Sequence, residues 1–399
     1  MQIAQEPAAA DITKEPSAAD PYDHRARLAY ADAFRAAAIF AVAAAHVMVR
    51  LLPAERYGKV GVVFGAWGVD CFFVLSGFLL ARPYLEAILG TRPFPSSKLF
   101  FARRFYRIWP LYAAAVVFSA LGQGLHHTHH VALADVLTHL TMTHNFFPQY
   151  ISSSFNGPLW TMPVDTDFYL LLPLTAVAVV GLTKSLGSKQ RVTLLFSLCA
   201  AATIGSLILR AVLGALFTAD IDDIPLYFTL FRNVFGMAGP FAVGIALGLL
   251  AVLRVKVPRP AVAGALGAGI VLGLVLFVIP QASWFAGTFY DVIGALSAGL
   301  LLFACLRGAV PAADALVRSK PVVSLAALAY AVYLFHEPVM NAIYNALGGH
   351  KFGGHYPLLF DLELSLGMLL GTLAVAIVAH NLIEQPFLRR KDALRETAA

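Results

Sequence analysis

The sequence predicts an all-α, polytopic membrane protein with about ten transmembrane helices around a polar pathway. The prediction depends on the composition, on the long apolar runs and on the distribution of basic residues between them. Of the 399 residues, 59% are hydrophobic and 13% are charged, and the mean hydropathy is +0.73. Because soluble proteins carry about 25% charged residues, this composition excludes a soluble domain.

Ten apolar runs approach the roughly 20 residues that a helix needs to cross a bilayer. The second is the weakest, because Asp70 interrupts it. Residues 1–27 lack the apolar core of a signal peptide and are expected to form a disordered cytoplasmic tail, and 389–399 a second cytoplasmic tail. The predicted spans are 33–52, 61–81, 104–123, 166–183, 192–214, 229–251, 261–280, 287–306, 322–345 and 358–383.

The number of basic residues is alternately high and low in successive predicted loops. With the N-terminus inside, the inner segments hold 22 Lys and Arg residues and the outer segments hold 4. Arg35, Arg210 and Arg232 lie in or at the edge of spans. The positive-inside rule therefore predicts that both termini are cytoplasmic and that the long segment 124–165 faces outward. The same bias accounts for the net charge of +6 without a nucleic-acid partner.

The first span, FRAAAIFAVAAAHVMV, carries two ionisable residues, Arg35 and His46, in an otherwise apolar run. Eleven helical steps of about 100° return to within about 20° of the starting direction, so both side chains lie on one face. Such a face is expected to look into protein or water rather than lipid. The alternative is an arginine that reaches the interface and a histidine satisfied by a neighbouring helix.

The loop after the second span ends in FFARRFYRIWPLY, where Arg104 and Arg107 share a helical face. They are either an ordinary cytoplasmic anchor or a clamp that binds phosphate oxygens bidentately. The preceding segment, GVDCFFVLSGFLL, contains Ser76 and Gly77. This small pair allows either close helix packing or the approach of a ligand to the backbone.

Two later segments carry further candidates. LWTMPVDTDFYLLLPL places Asp165 and Asp167 near the start of a helix. There the helix dipole stabilises acidic side chains, so the two residues either cap the helix or belong to a functional site. In YAVYLFHEP, Tyr330, Tyr333 and His336 are spaced i, i+3 and i+6, so they form roughly one stripe of a helix. This stripe is either a packed aromatic face or part of a functional site.

A metal site is not predicted. The segment 126–144 is interpreted as a polar outer loop, since it contains no cysteine and few acids. The three cysteines lie in separate apolar runs and indicate no disulfide framework. The histidines of this loop are His126, His127, His129, His130, His139 and His144.

Taken in order, these segments resemble the acyltransferase family 3 membrane proteins. Arg35 and His46, with ten residues between them, resemble the family's Arg-x10-His signature, and Arg104-Phe-Tyr-Arg107 is similar to its Arg-x-x-Arg motif. GVDCFFVLSGFLL, LWTMPVDTDFYLLLP, YAVYLFH and LIEQPF resemble its other motifs, so the resemblance runs from 32 to 387. The chain departs from the family at Asp165, usually Glu, and at Asp167, usually Gln or His.

The resemblance implies a bacterial cytoplasmic (inner) membrane enzyme, with residues 28–388 as its transmembrane acyltransferase domain. It would move an acetyl or other short acyl group from cytoplasmic acyl-CoA, a co-substrate, to a hydroxyl of a glycan, lipid-linked sugar or glycosylated natural product. No cofactor is implied. The implied catalytic residues are His46, a suitable general base, and Arg35; acyl-CoA would contact Arg104, Arg107, Ser76 and Gly77. The acceptor or its proton would be handled by Asp165, Tyr169, Tyr333 and His336.

The rival interpretation is a secondary transporter or exporter, which also needs ionisable residues inside the membrane. Transporters of this kind commonly show inverted repeats and matching broken helices in two halves. The sequence shows neither feature, so an acyltransferase is preferred.

Overall fold

The computed structural model of the chain describes residues 24–51, 59–125, 132–151, 156–217, 224–279, 284–310, 315–346 and 358–396. Within these ranges the chain forms helices and turns and no strand, which confirms the all-α prediction. Residues 1–23 of the predicted N-terminal tail lie outside the described ranges, and the first helix begins at His24. Of the predicted C-terminal tail, 389–396 is helical.

The α-helices, numbered in chain order, are α1 (His24–Leu51), α2 (Lys59–Ile88), α3 (Ser97–Leu125), α4 (Leu133–Leu140), α5 (Pro148–Ile151), α6 (Thr161–Leu182), α7 (Ser188–Phe217), α8 (Ile224–Phe231), α9 (Ala238–Val252), α10 (Arg259–Val278), α11 (Trp284–Leu306), α12 (Lys320–Ala346), α13 (Leu358–Ala379) and α14 (Gln385–Glu396). A π-helical turn, His380–Glu384, joins the last two.

Nine helical segments of the described chain are long and apolar enough to cross a membrane. They correspond to nine of the ten predicted spans. The prediction of one continuous sixth span over 229–251 is wrong, because α8 ends at Phe231 and α9 begins at Ala238. The Asn233 side-chain oxygen accepts hydrogen bonds from the backbone N–H groups of Phe235 and Gly236, a local turn that competes with helix. The 15-residue α9 is only about 22 Å long.

Large apolar side chains cover the outside of the bundle, and several polar side chains lie within it. Leu182 and Val278 are 74% and 73% exposed, as expected of surfaces that face lipid. Asp70, Arg210 and His336 are buried instead. The protein is therefore a multi-pass membrane protein whose polar groups lie between its helices.

Helix α2 packs against α1, α6, α9 and α11. At its crossing with α9, a Cβ atom on Gly77 would collide with the carbonyl oxygen of Phe241, and one on Gly244 would collide with that of Val74. Small residues at such a crossing let two helix backbones approach closely. The structure thus favours the packing alternative for Gly77, while its neighbour Ser76 lines a cavity.

Candidate active site

Two cavities lie on either side of Tyr333, which lines both. The first, here called the arginine cavity, has a volume of about 160 Å³. The second, the histidine cavity, has a volume of about 460 Å³. The polar residues of the arginine cavity include Arg35, Ser76, Arg104, Arg107, Asp165 and Tyr169, and those of the histidine cavity include His46, Arg232 and Asp291.

Helix α1 contributes one residue to each cavity. Arg35 lines the arginine cavity, and His46 lines the histidine cavity. Their positions, eleven residues apart, correspond to about 16 Å along a helix axis. The prediction that both side chains face the interior of the bundle is confirmed, and a single continuous helix sets the spacing between the two cavities.

The three arginines of the arginine cavity differ in their partners. Arg35 contacts the carboxylate of Asp32 at 2.6 Å, and Arg107 contacts that of Glu384 at 2.6 Å. No carboxylate of the described residues lies within 4 Å of Arg104, whose guanidinium lies 5.9 Å from the centroids of the Phe100 and Tyr169 rings. Its buried Nε has no hydrogen-bond partner in the described chain. Arg104 is therefore the arginine of this cavity best placed to receive an anion.

Asp165 lies in the same cavity rather than at a helix end. Its carboxylate faces the hydroxyls of Ser76 and Tyr169 and is close to Arg104 and Arg35. Helix α6 begins four residues earlier, at Thr161, and has no side-chain cap, so the capping interpretation does not apply. Asp165 is the one carboxylate that lines the cavity beside the three arginines, while Asp32 and Glu384 pair with two of them from outside its lining.

A third cavity of about 290 Å³ adjoins the arginine cavity and shares Arg35 and Arg107 with it. Asp32 and His380 also line it. Glu384 holds this wall together, because its carboxylate contacts both Arg107 and Nδ1 of His380, the latter at 2.7 Å. The sequence indicates Glu384 only as a member of the LIEQPF motif and does not predict a role for it.

In the histidine cavity, His46 is oriented by its own helix. Its Nδ1 lies 2.8 Å from the carbonyl oxygen of Val42, which can only accept, so Nδ1 carries the hydrogen and the lone pair is on Nε2. Nε2 lies 4.0 Å from Oε2 of Glu337. The buried ring of His336 packs edge-on against His46, with 4.9 Å between centroids. Sequence reasoning did not identify Glu337, which lies one residue beyond the predicted stripe.

The same three residues bear on metal binding. The ligand atoms of His46, His336 and Glu337 lie within 4.8 Å of one another, so within the described ranges they form a group that could hold a metal ion. Sequence reasoning considered only the histidines of 126–144 for this purpose. His126, His127, His129 and His130 lie outside the described residues.

Part of the predicted outer loop is folded and buried. His139 and His144 stack with 3.7 Å between their ring centroids, and both are buried. The Asn145 amide donates to the carbonyl oxygens of Trp160 at 2.6 Å and Arg232 at 2.8 Å. The prediction of a polar loop over 126–144 is therefore wrong for its described part, 132–144, and the adjacent Asn145 supports one wall of the histidine cavity.

Hydrogen bonds hold Tyr333 in place between the cavities. Its hydroxyl donates to the carbonyl oxygen of Pro158 at 2.6 Å and accepts from the hydroxyl of Thr161 at 2.5 Å. Its backbone carbonyl lies 2.6 Å from Nδ1 of His336. The four residues predicted to handle the acceptor or its proton are thus divided: Asp165 and Tyr169 lie in the arginine cavity, Tyr333 at the partition, and His336 beside His46.

The chain is similar to known acyltransferases over nearly all its length. The acyltransferase domain of acyltransferase family 3 matches residues 28–380. The acyltransferase MdmB of Streptomyces mycarofaciens is 27% identical over 387 residues, covering 90% of this chain and 92% of MdmB. Nodulation protein 10 of Rhizobium leguminosarum bv. viciae is 26% identical over 353 residues, covering 84% and 85% of the two chains. No solved structure matches the chain significantly. The protein therefore belongs to acyltransferase family 3 and is a membrane O-acyltransferase.

Proposed function

We propose that the enzyme transfers an acetyl or other short acyl group from acyl-CoA, bound at the arginine cavity, to a hydroxyl of a glycan, lipid-linked sugar or glycosylated natural product in the histidine cavity. The observation that supports this most is the pairing of a cavity lined by three arginines with a cavity lined by His46, with Tyr333 in the lining of both. A bilayer-spanning enzyme with two substrates of different chemistry needs two such binding sites.

On the donor side, Arg104 binds a phosphate group, since its planar fork matches phosphate oxygens. The arginine cavity alone is too small for a whole CoA, so the adjoining third cavity, which shares Arg35 and Arg107, extends the binding site. Ser76 contacts the acyl-pantetheine end. Gly77 acts indirectly, by allowing the close α2–α9 packing that holds Ser76 in the cavity wall.

On the acceptor side, Nε2 of His46 removes the hydroxyl proton while the hydroxyl oxygen attacks the thioester carbonyl carbon. The new C–O bond forms, the C–S bond breaks, and the departing CoA thiolate receives the proton from His46 as a thiol. The carboxylate of Glu337, 4.0 Å from Nε2, stabilises the imidazolium between these steps. Tyr333 must move for the thioester to reach His46.

The proposed orientation places the arginine cavity toward the cytoplasm of a bacterial cell, with both termini cytoplasmic in the inner membrane. It is supported by the basic residues of the predicted inner loops. In a variant lacking Cys71, Cys199 and Cys305, a cysteine at the exposed Ser97 should resist an impermeant maleimide in intact cells, and one at the exposed Thr141 should react. The reverse labelling would invert the orientation.

The function itself is tested with purified protein in detergent and acetyl-CoA. Calorimetry should detect binding, and a thiol reagent should detect slow release of free CoA to water, which a transporter would not give. Absence of both binding and thiol release would contradict the proposal. EDTA should leave the rate unchanged, because His46 uses its own lone pair. A rate abolished by EDTA and restored by zinc would instead assign His46, His336 and Glu337 to a metal ion.

A further inference from the structure

A partly buried arginine in the wall of the histidine cavity has no hydrogen-bond or ion-pair partner for its side chain within the described chain. Arg232 lies in the break between α8 and α9 and lines this cavity. Within the described ranges, no carboxylate lies within 4 Å of its guanidinium and no acceptor receives a hydrogen bond from it. Burial lowers the pKa of Arg232 from 12.5 to about 10, so the side chain remains charged at neutral pH.

The contacts that Arg232 does make are with aromatic rings. Its guanidinium carbon lies 3.8 Å from the centroid of the Phe228 ring and 4.7 Å from that of Trp160. Such contacts stabilise a cation by roughly 2 kcal/mol when water is excluded, but they use the flat faces of the guanidinium. The N–H donors point outward in its plane and are left for another partner.

Arg210, a fully buried arginine nearby, provides the comparison. Its guanidinium donates to the carbonyl oxygens of Gly287, Thr288 and Gly236 and forms an ion pair with Asp291. A guanidinium satisfied in this way is structural. Asp291, the acid that lines the histidine cavity, forms its ion pair with Arg210 and acts on Arg232 only from beyond contact distance, where its charge favours the charged guanidinium.

The backbone at Arg232 is held in place by a side chain from another segment. The amide of Asn145 donates to the backbone carbonyls of both Arg232 and Trp160. A charged group that is partly withdrawn from water and lacks a protein acceptor is costly unless a ligand or water satisfies it. His46, the proposed base, lines the same cavity of about 460 Å³.

We infer that the acceptor carries an anionic oxygen group, a carboxylate or a phosphate ester, beside the hydroxyl that is acylated, and that Arg232 binds this group. The acceptor class is therefore an acidic carbohydrate, such as a uronic acid or a sugar phosphate. The inference rests on the proposed function for its hydroxyl, but the anion site depends only on the cavity. A planar guanidinium binds either anion through two parallel hydrogen bonds.

The test measures stabilisation of purified protein in detergent by three probes: methyl glucoside, glucuronate and glucose 1-phosphate. Because anions can also bind Arg104, every variant is prepared in an Arg104→Gln background. The protein with Arg232 intact should bind at least one of the two anions about 10–100-fold more tightly than methyl glucoside, as expected for a charged hydrogen bond of about 1.5–3 kcal/mol. Arg232→Gln should remove this preference.

Arg259→Gln is the matched control, since it makes the same chemical change at an exposed arginine and should keep the preference. Preference for glucuronate alone or glucose 1-phosphate alone identifies which anion the site takes. Equal binding of all three probes with Arg232 intact, or an undiminished preference in Arg232→Gln, would overturn the inference.

Folding of the variants is checked by their unliganded thermal midpoints. If Arg232→Gln is unfolded, Arg232→Lys decides the matter: a weaker anion preference supports the inference, and an unchanged one overturns it. Failure of the proposed function has a different signature, because wild-type protein would then neither bind nor cleave acetyl-CoA while the anion preference persisted.

Discussion

The arginine cavity and the histidine cavity use charge in opposite ways. In the smaller arginine cavity, two of three guanidiniums are neutralised by carboxylates of this chain, and one remains available. In the larger histidine cavity, the proposed base is His46, whose Nδ1 bonds to a carbonyl of its own helix, and a single arginine lies in the wall. Under the proposed function, the difference assigns recognition of the donor and activation of the acceptor to separate cavities, so substitutions should affect them separately.

The strongest test of this separation is His46→Ala. Loss of a general base costs about 10²–10⁴ in rate, while binding of acetyl-CoA in the other cavity should be unchanged. Initial rates and calorimetry on the same preparation measure both quantities. Activity close to that of wild type at equal protein abundance would remove His46 from the chemistry, and lost acetyl-CoA binding would show that the two cavities are not independent.

Arg104→Gln should show the opposite pattern. The dissociation constant for acetyl-CoA should rise about 10–100-fold, because a charge-assisted hydrogen bond is worth about 1.5–3 kcal/mol. Arg104→Lys should restore little, since a point charge lacks the bidentate fork. Arg107→Gln is the matched comparison and should affect affinity less, because Glu384 already engages Arg107. Equal losses in the two variants would contradict the distinction drawn between them.

Glu337→Gln should reduce kcat about tenfold, by removing the charge that stabilises the protonated His46. KM for acetyl-CoA should stay the same, whereas a purely structural role would change both constants. Glu363→Gln, the same change at an exposed position, is the control. A kcat equal to that of wild type would leave Glu337 without a part in the proton transfer.

The smallest effect concerns the wall of the histidine cavity at acidic pH. Burial, followed by the nearby His139, lowers the pKa of His144 from 6.5 to about 2. Below pH 6.5 the unfolded chain therefore binds a proton that the folded chain does not, and stability falls by up to about 1.4 kcal/mol per pH unit.

Thermal midpoints measured at pH 7.5 and pH 5.5 provide the comparison. The wild type should lose more stability on acidification than His144→Phe, which removes the titrating group and keeps a ring against His139. Asp135, 2.9 Å from His139, is present in both proteins, so its effect is common to the two measurements. Equal losses in the two proteins would place the acid sensitivity elsewhere.

The sequence was most informative where one helix decides the outcome. Nine spans follow from hydropathy, and the common inward direction of Arg35 and His46 follows from the helical repeat. It was less informative where several segments meet. The break at Asn233 depends on a local turn, and Glu337 reaches His46 only through the packing of the helix Lys320–Ala346 against α1.

Two other features depended on tertiary structure in the same way. Arg232 was noted only as a charge at the edge of a span, because its aromatic partners and its missing acceptor cannot be read from one chain segment. His139 and His144 stood in a polar, histidine-rich stretch, and only the folded chain shows that they are stacked and buried.

The hydrogen-bonded Tyr333 has a consequence for the cell as well as for the reaction. Under the proposed function, the donor enters from the cytoplasm and the acceptor from the opposite face. The two cavities of such an enzyme together enclose most of a passage through the membrane. A continuous water file along that passage would conduct protons and dissipate the gradient that drives ATP synthesis. In the proposed orientation, a tyrosine ring between the two cavities would interrupt such a file of water and keep the membrane electrically sealed during the reaction.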